Sequence, residues 1–170
     1  MSQDADVIDR PSLYDTDYYA WTQAQAAALH ARGAGETVLD YDNLAEEVEG
    51  LGKSVLRGCR SQVANIVRHF LKLQYALDRQ PERHWRGEII DFRIELQQDL
   101  TRSLTNRLRP QLSRIIDDQI ESLSARGEIA LPSSARPQAH ETYTWERIVG
   151  RRWFPEPVSI PDKIDSAPAA

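Results

Sequence analysis

The chain has 170 residues, 41% of them hydrophobic and 28% charged, with a net charge of −5. That length is enough for one domain with an enclosed core, and no run approaches the roughly 20 apolar residues of a membrane-spanning helix. A lone cysteine, Cys59, excludes an internal disulfide and a thiolate-rich zinc site. The acidic, polar start MSQDADVIDR does not read as a secretory signal, so the expected compartment is the cytoplasm and no membrane is expected as a partner. Charge is unevenly spread: residues 1–52 carry a balance of −9, residues 53–114 carry +7 and the remainder −3. A basic middle can meet phosphates or the acidic first third of its own chain, and its scattered arginines favour the second reading.

Residues 1–12 lack periodicity and are expected to be disordered. A first helix opens in Leu13-Tyr14-Asp15-Thr16-Asp17-Tyr18-Tyr19-Ala20-Trp21, with Asp15 as its N-cap and Asp17 in its first turn. Tyr14, Tyr18 and Trp21 share a face, and Arg32-Gly33-Ala34-Gly35 supplies the stop. The second helix is the spine of the fold. From Leu44 through Val48, Leu51, Val55, Cys59, Val63, Ile66, Phe70 and Leu73 to Leu77, apolar residues recur at steps of three and four. Asp40 or Asp42 caps it. Gly50 and Gly52 are expected at a bend, and Gly58 where a neighbouring helix approaches closely.

A third helix is predicted from Glu82 or Trp85 to Leu104, carrying Ile89, Phe92, Leu96 and Leu100. Pro110 fits the first position of a fourth, whose Leu112, Ile115, Ile116, Ile120 and Leu123 lead to a stop at Arg126-Gly127. Pro132, Ser133, Ser134 and Pro137 read as irregular. Thr144 caps a short helical motif from Trp145 to Gly150, and Trp153-Phe154-Pro155 is aromatic enough to dock. The Pro/Ala/Ser tail beyond Pro157 has nothing to pack. The expected fold class is all-α: a four-helix-type bundle over residues 13–155, with a long central helix, a short C-terminal helical motif docked on it and a disordered tail over 156–170.

Chemistry-bearing motifs are few. Glu46, Glu47 and Glu49 open the second helix, but a di-metal bundle site needs Glu-x-x-His on two helices, and the chain has none. No metal or other cofactor is expected. Glu46 and Glu49 pair at helical spacing with the bases that follow them, among them Lys53, Arg57, Arg60, Arg68 and Lys72. Glu47, Ser54, Gly58, Gln62, Asn65 and His69 form a polar stripe flanking the apolar face, with Asp17, Tyr18 or Arg93 as expected partners. In it His69 is either a titrating group in a shallow cleft or part of a structural hydrogen-bond network, and the network is favoured. Gly50-Leu51-Gly52-Lys53-Ser54 lies inside a helical pattern without an upstream strand, so it is no phosphate loop.

Three series of residues together resemble a known family. They are Leu13-Tyr14-x-x-Asp17-Tyr18-x-x-Trp21, then Leu39-Asp40-x-x-Asn43-Leu44-x-Glu46-Glu47-x-Glu49-x-Leu51-Gly52-x-Ser54, then His69-Phe70-Leu71-Lys72-x-x-Tyr75. With Trp85, Ile89 and Arg93 they resemble the bacterial domain-of-unknown-function family twenty-nine, across about residues 13–155. Towards the C-terminus only Tyr143-Thr144 and Trp153-Phe154-Pro155 keep the pattern. The resemblance implies a helical bacterial protein with no assigned activity, and marks Asp17, Trp21, Glu46, Glu47, His69, Lys72, Trp85 and Arg93 as pattern positions.

The leading expectation is a non-enzymatic module that binds another protein or a second copy of itself, because Tyr14, Tyr18, Tyr19 and Trp21 exceed what one small helix needs. A nucleic-acid-associated regulator using Arg57, Arg60 and Arg68 is the alternative. A metal-dependent enzyme built on Glu47 and His69 ranks third.

Overall fold

The computed structural model describes residues 12–32, 40–132 and 135–158. The expectations for the first dozen residues, the Gly33–Gly35 stop and the tail fall wholly or largely outside them. Within the described residues the chain is helical: α1 (Leu13–Thr16), α2 (Tyr18–Arg32), α3 (Tyr41–Tyr75), α4 (Glu82–Asp99), α5 (Arg102–Leu108), α6 (Leu112–Ala125), α7 (Ala135–Thr142) and α8 (Trp145–Val149), with a 3-10 turn at Arg109–Gln111. Extended pairing among them is limited to one isolated antiparallel bridge, Ala76 to Ile129. Two compact units are present: residues up to Gly58 with Leu100–Arg107, and Cys59–Asp99 with the chain from Leu108 onward.

In the first unit, the expected opening helix is divided at Asp17. Ser12, rather than Asp15, caps the single turn α1, accepting a hydrogen bond from Asp15 N. Asp17 has non-helical dihedrals (φ −153°, ψ 79°) and its carboxylate accepts from Ala20 N at 3.0 Å, which makes it the cap of α2. Asp40 does the same for α3 through Asn43 N at 3.1 Å. The apolar stripe of α3 is turned from its expected place here: Leu44 and Leu51 are exposed, while Ala45 and Gly52 are buried. One residue corresponds to about 100° of helix rotation, so the contact selects small residues rather than large ones. A Cβ on Gly52 would collide with the Thr22 hydroxyl and lie 3.0 Å from Gln23 Nε2, whereas one on Gly58 or Gly50 would meet nothing within 4 Å. Gly52, not Gly58, is the close-approach glycine.

The third predicted helix also breaks. α4 ends at Asp99, and Thr101 restarts the chain as α5 by accepting from Leu104 N at 3.3 Å.

The second unit holds the larger core. Val63, Ile66, Val67, Phe70 and Leu71 of α3 are fully buried, as are Ile89 and Leu96 of α4, and Ile115, Ile116, Ile120 and Leu123 of α6 are nearly so. α6 closes as expected: Gly127 has φ +65°, Gly127 N donates to Ser124 O and Glu128 N to Leu123 O. This paired arrangement needs a left-handed residue, which glycine adopts without strain. Leu77, placed on the buried stripe by periodicity, is 66% exposed. α3 has ended by then, and the extended bridge at Ala76 replaces the helical period. The stretch around Pro137, expected to be irregular, contains α7. Pro137 is its third residue, inside the first turn where no intrahelical N–H is required.

Gly52→Ala is expected to lower the melting temperature despite alanine's better helix propensity. Gly50→Ala and Gly58→Ala should each add up to about 1 kcal/mol of stability. Thermal unfolding followed by circular dichroism reads the contrast.

Candidate functional site

In the second unit Arg93 lies on the inner face of α4, only 2% exposed. Its Nε donates to Ile148 O at 2.9 Å, Nη2 to Arg147 O at 2.7 Å and Trp153 O at 2.8 Å, and Nη1 to Arg151 O at 3.5 Å. The first two carbonyl acceptors end α8, the negative pole of that helix. Phe70 and Phe154 present ring faces at 5.3 and 5.2 Å from the guanidinium carbon. Burial pulls the guanidinium pKa down to about 10, so it stays charged at neutral pH. Trp153 completes the packing, edge-on to Phe70 at 5.1 Å, and Phe154 lies under Arg86 at 5.0 Å. The docked C-terminal motif expected from the sequence is therefore present, held by a buried cation that pairs with carbonyls.

His69, on α3, is buried as well. Its Nε2 is 3.2 Å from Glu88 Oε2, and His84 Nε2 reaches the same oxygen at 3.4 Å. Burial drives the His69 pKa down to about 4; the Glu88 charge opposes this, and Lys72, Arg68 and His84 reinforce it. The ring is neutral at pH 7 and donates from Nε2 to Glu88. Its Nδ1 is then buried without a hydrogen-bond partner, and its face stacks on Phe92 at 5.7 Å. Three residues further along α3, Lys72 pairs with Glu128 at 2.6 Å and lies over the Trp85 ring at 5.7 Å. These three line a cleft of about 460 Å³ with His84 and Leu77. The Lys72 ammonium hydrogen bond is the main reason the Glu128 carboxyl sits below the usual range.

One further member of the polar stripe, Gln62, has a partner the sequence did not name. Gln62 donates to Glu95 at 2.5 Å. Arg60 binds Asp118 at 3.3 Å and Arg68 Nε donates to Gln119 at 2.9 Å, so two of the three arginines proposed for nucleic acid are engaged within their own unit. Glu88, Glu95 and Glu128 carried no separate signal, although Glu88 stands four residues after His84.

In the first unit, Asp17 joins elements distant in sequence. Its carboxylate accepts from Thr101 Oγ1 at 2.9 Å and Ser103 N at 3.1 Å as well as from Ala20 N. Burial alone would raise its pKa, but these hydrogen bonds hold it below the ordinary carboxylate value. Tyr14, Tyr18 and Trp21 form a ring cluster: Tyr14 meets Trp21 edge-on at 4.9 Å and Tyr18 at 5.6 Å, and Tyr18 stacks on Trp21 at 5.7 Å. Glu46, Glu47 and Arg57 are exposed, and Glu49 pairs with Lys53 at 3.0 Å. The structure thus gathers Asp17 and Trp21 in one unit and His69, Lys72, Trp85 and Arg93 in the other. Among the described residues, no group of three or more His, Cys, Asp or Glu is placed to hold a metal, and no helix is long and apolar enough to cross a membrane.

The chain belongs to the family of the DUF29 domain of unknown function, which matches residues 13–154. It is similar to the crystal structure of an α-helical protein of unknown function from Rhodospirillum rubrum ATCC 11170, at 23% sequence identity and a TM-score of 0.59, over 84% of this chain and 99% of that one. That likeness carries the fold. No curated protein matches.

A neutral buried His69 makes stability depend on pH with a definite sign. Its folded pKa lies below the roughly 6.5 of an unfolded chain, so the unfolded state takes up the proton first as pH falls. The contribution is intact above pH 6.5 and is lost progressively towards pH 4, by up to about 3 kcal/mol. The difference in unfolding free energy between the wild type and His69→Gln should therefore shrink across that window in urea titrations. A difference that stays constant from pH 7 to 4 contradicts the assignment.

Proposed function

We propose that this protein is a non-enzymatic protein-interaction module anchored by the aromatic cluster of α1 and α2. The observation that carries the reading is Tyr14: it is 54% exposed although it touches two other rings, and Leu13 beside it is 45% exposed. Rigid aromatics with an open face desolvate large area at little entropic cost, which is why interfaces concentrate them. The cluster stands on Asp17, whose three hydrogen bonds fix the start of α2. Arg60 and Arg68, bound to Asp118 and Gln119, favour this reading over the nucleic-acid alternative. The setting proposed is the cytoplasm, where the buried free thiol of Cys59 suits a reducing compartment.

The test is affinity purification of the tagged chain from its own host beside Tyr14→Ala. The reading expects a stoichiometric protein that Tyr14→Ala loses while its thermal unfolding is unchanged. Recovery of the same protein by the variant, or of nucleic acid that survives moderate salt, overturns it.

A further inference from the structure

The cleft of about 460 Å³ opens where α3 ends, α4 begins and the chain turns back after α6. Each of these points contributes one side chain. Lys72 stands in the last turn of α3 and Trp85 in the first turn of α4. Gly127, at φ +65°, reverses the chain so that Glu128 follows α6 into the cleft wall. The bridge from Ala76 to Ile129 ties the first and third points together. Leu77 and Pro81 line the same space, and Leu77 is 66% exposed. An apolar wall open to water beside a few convergent polar groups is the arrangement of a small-molecule site.

The polar groups decide which ligand fits. Lys72 and Glu128, 19% and 33% exposed, meet at 2.6 Å, so their charges cancel inside the cleft. Neither is saturated. An ammonium has three donors; Glu128 takes one, and the Trp85 ring face lies 5.7 Å away. Glu128 Oε1 is held only by Arg126, at 3.8 Å, and Asp78 at the rim gives Oδ1 to Gln80 N. His84 turns its Nε2 to Glu88 instead. A lone anion on Lys72 would sit against Glu128, and a lone cation on Glu128 would sit against Lys72. A ligand that carries both charges on neighbouring atoms satisfies both partners at once. The geometry points to a binding site for a free α-amino acid with a large apolar side chain. Its carboxylate meets Lys72, its ammonium meets Glu128 and Asp78, and its side chain covers Leu77 and Pro81. Glu128 is ionised for that role, because the Lys72 hydrogen bond holds its carboxyl below the usual range. A ligand of this size reaches a dissociation constant of about 0.1–1 mM. The site belongs to the second unit and uses none of the Tyr14 cluster, so it stands or falls independently of the partner surface.

The test is a titration of the full, isotope-labelled chain followed by amide chemical shifts. The probes are L-phenylalanine, phenethylamine, which keeps only the ammonium, and 3-phenylpropanoate, which keeps only the carboxylate. The proposal expects L-phenylalanine to shift the amides of residues 72–78, 84–85 and 127–128 in a saturable way. Each singly charged analogue should bind at least about tenfold more weakly, since it forgoes one charge-assisted hydrogen bond and leaves a like charge opposed. This series uses the unaltered chain, so no substitution can confuse it with misfolding. Leu77→Glu, at an exposed position, should weaken L-phenylalanine about tenfold by setting an acid against its ring. No saturable shift at those amides up to about 10 mM, roughly ten times the weakest expected dissociation constant, overturns the proposal. So does an analogue that binds as tightly as the amino acid, or saturable shifts confined to other residues.

Discussion

A guanidinium buried without a carboxylate is the constraint that organises the second unit. Placing a cation in a site 2% exposed is costly, and hydrogen bonds to acceptors around it offset that cost. Arg93 meets it with four main-chain carbonyls, from residues 147, 148, 151 and 153, and two aromatic faces. Carbonyls are available in that density only where a helix ends and the chain turns back. The short α8 and the segment after it therefore have one productive position on α4. Lysine could not replace the arginine there, because a single ammonium cannot span acceptors arranged around a planar fork. The same constraint directs α4 as a whole: with Arg93 facing inward, Ile90 and Ile94 must face outward.

Asp17 performs the corresponding role in the first unit on a smaller scale. One carboxylate caps α2 and binds the start of α5 through Thr101 and Ser103, so two helix beginnings share one acceptor. The buried residues that α2 and α3 contribute to this unit are small, Thr22, Ala26, Ala45 and Gly52, and Leu104 of α5 is the large side chain buried in it. Such a core gains from close approach rather than from large side chains, and it leaves Leu44, Leu51 and Tyr14 on the outside. Exposed apolar groups in this unit follow from how the core is packed.

The helical class and the long α3 were legible because periodicity over many turns is a strong signal. Boundaries were less so, since they depend on which of two nearby caps wins. Asp15 and Asp17 look equivalent in sequence, but only Asp17 has Thr101 and Ser103 to bind. Pro137 was read as part of an irregular stretch, although in the first turn of a helix its missing donor costs nothing. The stripe of α3 misled at Leu44 and Leu51 because periodicity weighs large residues, whereas Ala45 and Gly52 made the contact. For the site, the sequence named Arg93, His69, Lys72 and Trp85 singly. It could not name what they touch: the acceptors of Arg93 are backbone atoms, which any sequence supplies, and Glu88 and Glu128 resemble ordinary surface acids.

The most direct test of this account is hydrogen exchange, read by mass spectrometry, on the full chain carrying Arg93→Lys. If the guanidinium holds the C-terminal segment, amides of residues 145–158 should exchange roughly 30-fold faster or more, equivalent to about 2 kcal/mol of lost local stability. Those of α6 should keep their protection. Unchanged protection across residues 145–158 would contradict the claim that Arg93 is the latch of this fold.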